Sequence, residues 1–158
     1  GRARRARSVR AFCACILCVH SVRRESEAEA LCGVMRYLLD THTLLWWIDG
    51  QPLSEEANKV LEDFGNDVLV SVVSRWEISI KESKGRLQPP SDLPELIADS
   101  GFDVLPVRWA HARRISELPP HHLDPFDRML VAQAMEESCV ILSRDPHLGA
   151  YDVDVVRA

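Results

Sequence analysis

Asp124-Pro125-Phe126-Asp127-Arg128-Met129-Leu130-Val131-Ala132-Gln133-Ala134-Met135-Glu136-Glu137-Ser138-Cys139-Val140-Ile141-Leu142-Ser143 runs from a helix pattern into a strand pattern. Pro125 suits the first helical position, where no intrahelical N–H is required. A helix is expected from there to about Ser138. Val140–Ser143 is a continuous apolar run of strand length. A strand directly after a helix points to alternating α and β elements, and the flanking sequence extends that alternation.

Upstream, Arg36-Tyr37-Leu38-Leu39-Asp40 reads as a buried strand ending in a carboxylate, with Thr41 able to cap a helix from Leu44 to Ile48. Ser54-Glu55-Glu56 opens a second helix, with Ala57, Val60, Leu61 and Phe64 on one face. Val68–Val70 is a short strand that leads into a helix containing Val72, Val73, Trp76 and Ile80, closed by Gly85. A helix over Leu93–Asp99, a strand over Asp103–Pro106, a helix over Trp109–Leu118 and a loop over His121–Asp124 complete the approach to Pro125. Val153–Val156 is the final strand. Strands separated by helices imply an α/β fold with a central, mostly parallel sheet flanked by helices.

The 158 residues, 46% hydrophobic and 27% charged, suit one globular domain. No apolar run approaches the roughly 18–20 residues of a membrane-spanning helix. The charge is unevenly divided. Residues 1–34 carry seven Arg and three Glu, a net of +4, and residues 35–158 carry twelve Lys or Arg and 21 Asp or Glu, a net of −9. Four of the five cysteines (Cys13, Cys15, Cys18 and Cys32) also lie before residue 35. Cys139 alone makes no disulfide framework, which fits a reducing, cytoplasmic setting, and it reads as a small buried hydrophobe.

Cys13-x-Cys15-x-x-Cys18 matches no standard zinc spacing. The Arg-rich start followed by apolar Ala11–Val19 has the length of a signal core but no clean cleavage site beside it. Residues 1–34 are therefore expected to lie outside the folded domain, which is assigned to residues 35–158.

Four acids stand where open parallel sheets bind ligands, beyond the carboxyl ends of the strands. Asp40 ends the first strand and Asp145 follows the strand 140–143. Glu77 lies in the helix after strand 68–70, and Asp127 lies in the first turn after Pro125. Each has a purely structural alternative. Glu77 could close a capping box on Ser74, Asp124 and Asp127 could start their helix, Asp145 could cap a turn, and Asp40 could simply precede a helix. If the four converge, they are unfavourable alone: two carboxylates about 4 Å apart repel by roughly 4 kcal/mol at an effective dielectric near 20. A hard divalent cation such as Mg²⁺ or Mn²⁺ removes that penalty and suits oxygen ligands. Such ions assist phosphodiester cleavage.

The residues around these acids resemble the motifs of PIN domains. Tyr37-Leu38-Leu39-Asp40-Thr41-His42 is similar to the opening of that family. Trp76-Glu77-Ile78 with Lys81 and Gly85-Arg86-Leu87 looks like its second motif, and Leu142-Ser143-Arg144-Asp145 resembles its fourth. Asp124 to Ala134 is the longest and most specific match. The nearest resemblance is to VapC-like toxins of type II toxin–antitoxin modules, from about residue 36 onward.

The resemblance implies a PIN-like fold and an Mg²⁺- or Mn²⁺-dependent endoribonuclease. It further implies a cognate antitoxin as partner, homodimerisation, and cleavage that leaves a 5′-phosphate and a 3′-hydroxyl. It also implies Asp40, Glu77 and Asp127 as the core metal-binding and catalytic acids, with Asp145 as the more variable fourth. Asp124 is expected to support the helix start. A non-catalytic partner-binding module and an RNA-processing nuclease outside a toxin–antitoxin pair are the alternatives.

An RNA substrate must meet local cations, because the net charge of the domain repels it. Arg75, Lys81, Lys84, Arg86, Arg128 and Arg144 neighbour the acids in sequence. Lys81, Arg128 and Arg144 are taken as the substrate-binding candidates. Unpaired bases stack on aromatic rings. Helical spacing puts Trp76 and Trp109 in the core, while adjacent Trp46 and Trp47 must point to different faces. His42, His121 and His122 are expected to be ordinary surface and loop residues.

Overall fold

The computed structural model describes residues 34–158, which belong to a compact unit spanning Gly33–Ala158. The expectations for the cysteines and arginines of the first 33 residues fall outside the described residues. Five strands are present among those described: β1 (Arg36–Leu39), β2 (Asp67–Ser71), β3 (Asp103–Leu105), β4 (Val140–Ser143) and β5 (Val155–Arg157). All are parallel, in the order β3-β2-β1-β4-β5. The chain moves outward from β1 in one direction through β2 and β3, then returns to the other side of β1 for β4 and β5. The strand order therefore reverses between β1 and β4.

Register explains why both faces of this sheet need helices. Leu38 is level with Leu69 and Ile141, and Leu39 is level with Val70 and Leu142. Successive side chains point to opposite faces. Leu39, Val70 and Leu142 therefore join one apolar cluster with residues of α1 (Thr41–Ile48), α2 (Glu55–Glu62) and α4 (Leu93–Asp99). Leu38, Leu69 and Ile141 join the other with α6 (Pro125–Glu137), with Ile115 of α5 (Trp109–Ile115) packed against it. Ile78 of α3 (Val72–Ser83) belongs to the first cluster.

Most helix boundaries follow from local chemistry. The Ser54 side chain accepts the Ala57 N–H at 3.0 Å and opens α2. Asp124 Oδ1 accepts the Phe126 N–H at 2.8 Å and opens α6, with Pro125 first in the helix. Ser138, at φ 54°, closes α6 in the left-handed conformation, and the Cys139 N–H reaches back to the Ala134 carbonyl. Glu137 ties that end of α6 to three neighbours: Arg36 of β1, Arg108 and the fully buried His111. Cys139 is buried and unpaired by disulfide.

Several expectations need correction. α1 starts at Thr41, not Leu44, and Asp40 occupies its N-cap position without a side-chain cap bond. The capping box at Ser74 does not form, because α3 already starts at Val72, capped by Ser71. The buried face of α3 is Val73, Ser74, Glu77 and Ile78, so Val72 and Trp76 are exposed. Trp109 is 87% exposed rather than core, and Phe64 lies past the end of α2 and is 68% exposed.

Leu130 of α6 is fully buried against the sheet. Leu130→Ala is expected to cost about 2–5 kcal/mol, read as a lower urea midpoint with an unchanged slope. A loss below about 1 kcal/mol would show that this face of α6 is not core.

Candidate active site

The reversal of strand order puts the ends of β1 and β4 side by side, the position where open α/β sheets leave a crevice. The Asp40 N–H donates to the Leu142 carbonyl at 3.1 Å, which continues the ladder one step past β1. Ser143 Oγ then donates to Asp40 Oδ2 at 2.7 Å and accepts the Asp145 N–H at 3.0 Å. One hydroxyl thus orients the first acid and fixes the backbone of the fourth. Asp40 is only 6% exposed, and its burial holds its carboxyl above the usual range. Glu77 adds repulsion in the same direction, while Ser143 and His42 oppose it.

Glu77 comes from the second turn of α3 and is 8% exposed. Its Oε1 pairs with Lys81 Nζ at 2.6 Å, and Lys81 also lies 3.4 Å from His42 Nε2. Asp127 comes from the first turn of α6. Burial pushes its carboxyl up to about 7, and Asp124, Asp40 and Glu77 each push further in that direction. Asp145 Oδ1 accepts the His147 N–H at 2.8 Å and so also caps the turn after β4.

Asp40, Glu77 and Asp127 therefore feel one another's charge although they are far apart in sequence. Asp145 joins them through His122, whose Nε2 is 3.1 Å from Asp145 Oδ2 and 3.3 Å from Asp127 Oδ2. Oxygens of both acids and this ring nitrogen lie within 4.8 Å of one another. A set of carboxylates with excess negative charge is the donor chemistry of a hard cation. The residues present fit a divalent ion.

His122 and Ser143 contact the candidate acids and were not singled out by the sequence reading. Ser143 sits inside the fourth motif, and its spacing from Asp145 was the available signal. His122 was set aside as a loop residue, because its approach to two acids depends on a tertiary fold.

The expected cations divide sharply. Lys81 is at the site. Arg128 instead donates to the carbonyls of Ile115, Leu118 and Pro119, at 2.8–3.1 Å, and holds the loop after α5. Arg144 donates to the carbonyls of Pro52 and Ala158 and covers the Trp46 ring at 4.1 Å. Arg75 pairs with Glu82, while Lys84 and Arg86 are exposed. The two adjacent tryptophans do diverge: Trp47 packs into the core against Phe102, and Trp46 faces Arg144. Trp76, 58% exposed, stands edge-on to Phe126 with ring centroids 5.1 Å apart. Each of those rings immediately precedes an acid of the site.

The PIN domain family model matches residues 37–154, and the chain belongs to the PIN domain family. Among individual proteins, it is 34% identical over 76 residues to ribonuclease VapC16 of Mycobacterium tuberculosis. That match covers 44% of this chain and 54% of the relative, so it spans about half the relative's length. The fold is similar to DNA-bound VapBC from Salmonella typhimurium at a TM-score of 0.59 and 14% identity, covering 78% of this chain and 98% of the other. VapBC2 from Rickettsia felis, bound to a promoter DNA fragment, gives 0.56 at 13% identity, with 77% and 98% covered. A toxin–antitoxin complex from Klebsiella pneumoniae gives 0.55 at 20% identity, with 77% and 96% covered.

Two predictions follow from this geometry. Arg128→Lys cannot serve three carbonyls from one planar fork, so it is expected to destabilise the fold by roughly 1–2 kcal/mol while leaving RNA affinity unchanged. An unchanged unfolding midpoint with weakened RNA binding would restore Arg128 to the substrate surface.

The second concerns Asp127. Its folded carboxyl titrates near 7 against an ordinary 3.8. Between those values the unfolded chain has released a proton that the folded one keeps, so stability falls as pH rises through that window. In chelator-treated protein the melting temperature is expected to drop across about pH 4–7, with a shallower drop in Asp127→Asn. Identical slopes for the two proteins would contradict the placement of Asp127 among the other acids.

Proposed function

We propose that residues 35–158 form a metal-dependent endoribonuclease, the toxin of a type II toxin–antitoxin pair. The observation that carries this reading is the charge coupling of Asp40, Glu77 and Asp127, with Asp127 pushed up to about 7 by burial and by its neighbours, and the approach of Asp127 and Asp145 to one His122 nitrogen. A domain does not gather desolvated like charges for stability. Membership of the PIN family and the partial match to a protein named as a ribonuclease support the reaction. The likeness to structures described as VapBC and toxin–antitoxin complexes supports an antitoxin as partner. Homodimerisation and a cytoplasmic setting belong to the same reading, which leaves residues 1–34 outside the catalytic unit. No helix among the described residues is long and apolar enough to cross a membrane.

In this mechanism Asp40, Glu77 and Asp127 would hold Mg²⁺ or Mn²⁺, with Asp145 contributing from the turn after β4. Such an ion, when bound, acts as a Lewis acid toward the scissile phosphodiester and toward water. The chain's residues do the positioning. Ser143 occupies one lone pair of Asp40 Oδ2 and keeps the carboxylate aimed along the switch point. Lys81 offsets the charge of Glu77 and is the cation nearest to an incoming phosphate. Trp76 offers an exposed ring one residue before Glu77, where an unpaired base can stack while its phosphate enters the site. A single-stranded segment suits this arrangement better than a duplex, whose bases are already stacked.

The direct experiment is cleavage of a total RNA pool with Mg²⁺, Mn²⁺ or chelator, comparing wild type with Asp40→Asn and mapping the ends. Wild type is expected to cut only with a divalent ion and to leave 5′-phosphates. Asp40→Asn keeps an acceptor for Ser143 and is expected to fold normally. It should lose at least about 100-fold in rate, the upper range for losing even an outer partner of a metal. Full cleavage by the variant, or cleavage undiminished by chelator, would falsify the assignment. Folded wild type that binds Mn²⁺ but cuts nothing would favour a non-catalytic binding module.

A further inference from the structure

His122 uses both ring nitrogens. Nδ1 lies 3.0 Å from the backbone N of Asp124, and only a bare ring nitrogen can accept that N–H. The neutral ring must then carry its proton on Nε2, which faces Asp145 Oδ2 at 3.1 Å and Asp127 Oδ2 at 3.3 Å. The hydrogen bond of that N–H goes to Asp145, and Asp127 Oδ2 lies in charge contact with the same nitrogen. The ring has little freedom to leave. The backbone N–H of His122 donates to the hydroxyl of buried Tyr151 at 2.9 Å, and the His147 ring stands edge-on at 5.7 Å.

We propose that His122 is a positioning residue: a neutral Nε2–H donor that holds Asp145 beside Asp127 for a divalent cation and does not itself ligate it. This rests on the metal-nuclease reading above. Two carboxylates this close to one ring nitrogen repel each other. The Nε2–H fixes Oδ2 of Asp145 on the side where Asp127 stands. It leaves the remaining lone pairs available, since a carboxylate offers about four acceptor sites.

Direct ligation by Nε2 would require the proton to move to Nδ1. It would then point at the Asp124 N–H and break the turn whose next residues start α6. The same turn that places Asp127 in the first turn of α6 therefore fixes the tautomer of the ring beside it. This arrangement differs from a histidine–carboxylate metal site, in which the imidazole gives its lone pair to the ion.

The test has two readouts, neither of which is RNA cleavage. In ¹⁵N-histidine NMR of chelator-treated protein, His122 is expected as the Nε2–H tautomer, unchanged when Mg²⁺ is added and unchanged in Asp40→Asn. By titration calorimetry with Mn²⁺ alone, His122→Ala is expected to bind about 10–100-fold more weakly than wild type, the range for lost outer partners. His122→Gln, with an amide N–H near the Nε2 position, should recover to within about threefold of wild type if the donor is what matters. Circular dichroism melts verify that both variants fold.

A shift of His122 to the Nδ1–H tautomer on adding Mg²⁺ identifies it as a ligand and overturns the inference. Wild-type Mn²⁺ affinity in folded His122→Ala overturns it equally. In both cases the metal-nuclease reading stands. Wild type that binds no Mn²⁺ while His122 keeps the Nε2–H tautomer overturns that reading, and the positioning role with it.

Discussion

Parallel pairing of β1 with β4 sets Leu39 level with Leu142, so the residues that follow, Asp40 and Ser143, stand side by side at the carboxyl end of the sheet. Asp40 and Ser143 are bonded for that reason, and Asp145 follows two residues later. Register in a parallel ladder is strongly specified here because both faces are buried: a slip of one residue would send Leu38 and Leu39 to the wrong clusters. The apolar packing of the sheet therefore determines where the acids stand. Glu77 and Asp127 are added by α3 and α6, each entering from a different face of the sheet.

The electrostatic consequence is a site that opposes its own ionisation. Asp40 and Asp127 are both held above the ordinary carboxylate range, chiefly by burial. Lys81 is the one lysine paired to the cluster among the described residues, and it neutralises Glu77 only. Arg128 and Arg144, two further cations near the motifs, are occupied with backbone carbonyls. The unbalanced charge matters more because residues 35–158 carry a net of −9. Polyanion binding then depends on the local field at the site and on aromatic contact, not on long-range attraction.

Much of the fold was legible from local chemistry. The start of α6 could be read from Asp124-Pro125, the start of α2 from Ser54, and every strand from its apolar run. Errors arose where an apolar residue was assumed to be a buried one. Trp76 lies on a helix whose inward face carries Ser74 and Glu77, and a periodicity count has no means of preferring a glutamate to a tryptophan for the interior. The burial of Glu77, paired with Lys81, is one that local hydrophobicity works against. Trp109 fails in the same way, since nothing in its own turn reveals that the adjoining edge of the sheet leaves it uncovered.

The sequence alone determined the alternation of strands and helices and the two-faced burial of the sheet, and it supplied the candidate acids, because each is encoded within a few neighbouring residues. Tertiary structure decided which side chains share a space. The central place of β1 between β2 and β4 brought Asp40 to Ser143, and the docking of α6 against the sheet brought Asp127 and Asp145 to the same His122 ring nitrogen. It also turned Arg128 and Arg144 from candidate phosphate contacts into struts for loops. The physical reason is the range of the interactions: capping and periodicity act within a turn or two, whereas a desolvated carboxylate or guanidinium is governed by whichever partner the fold delivers.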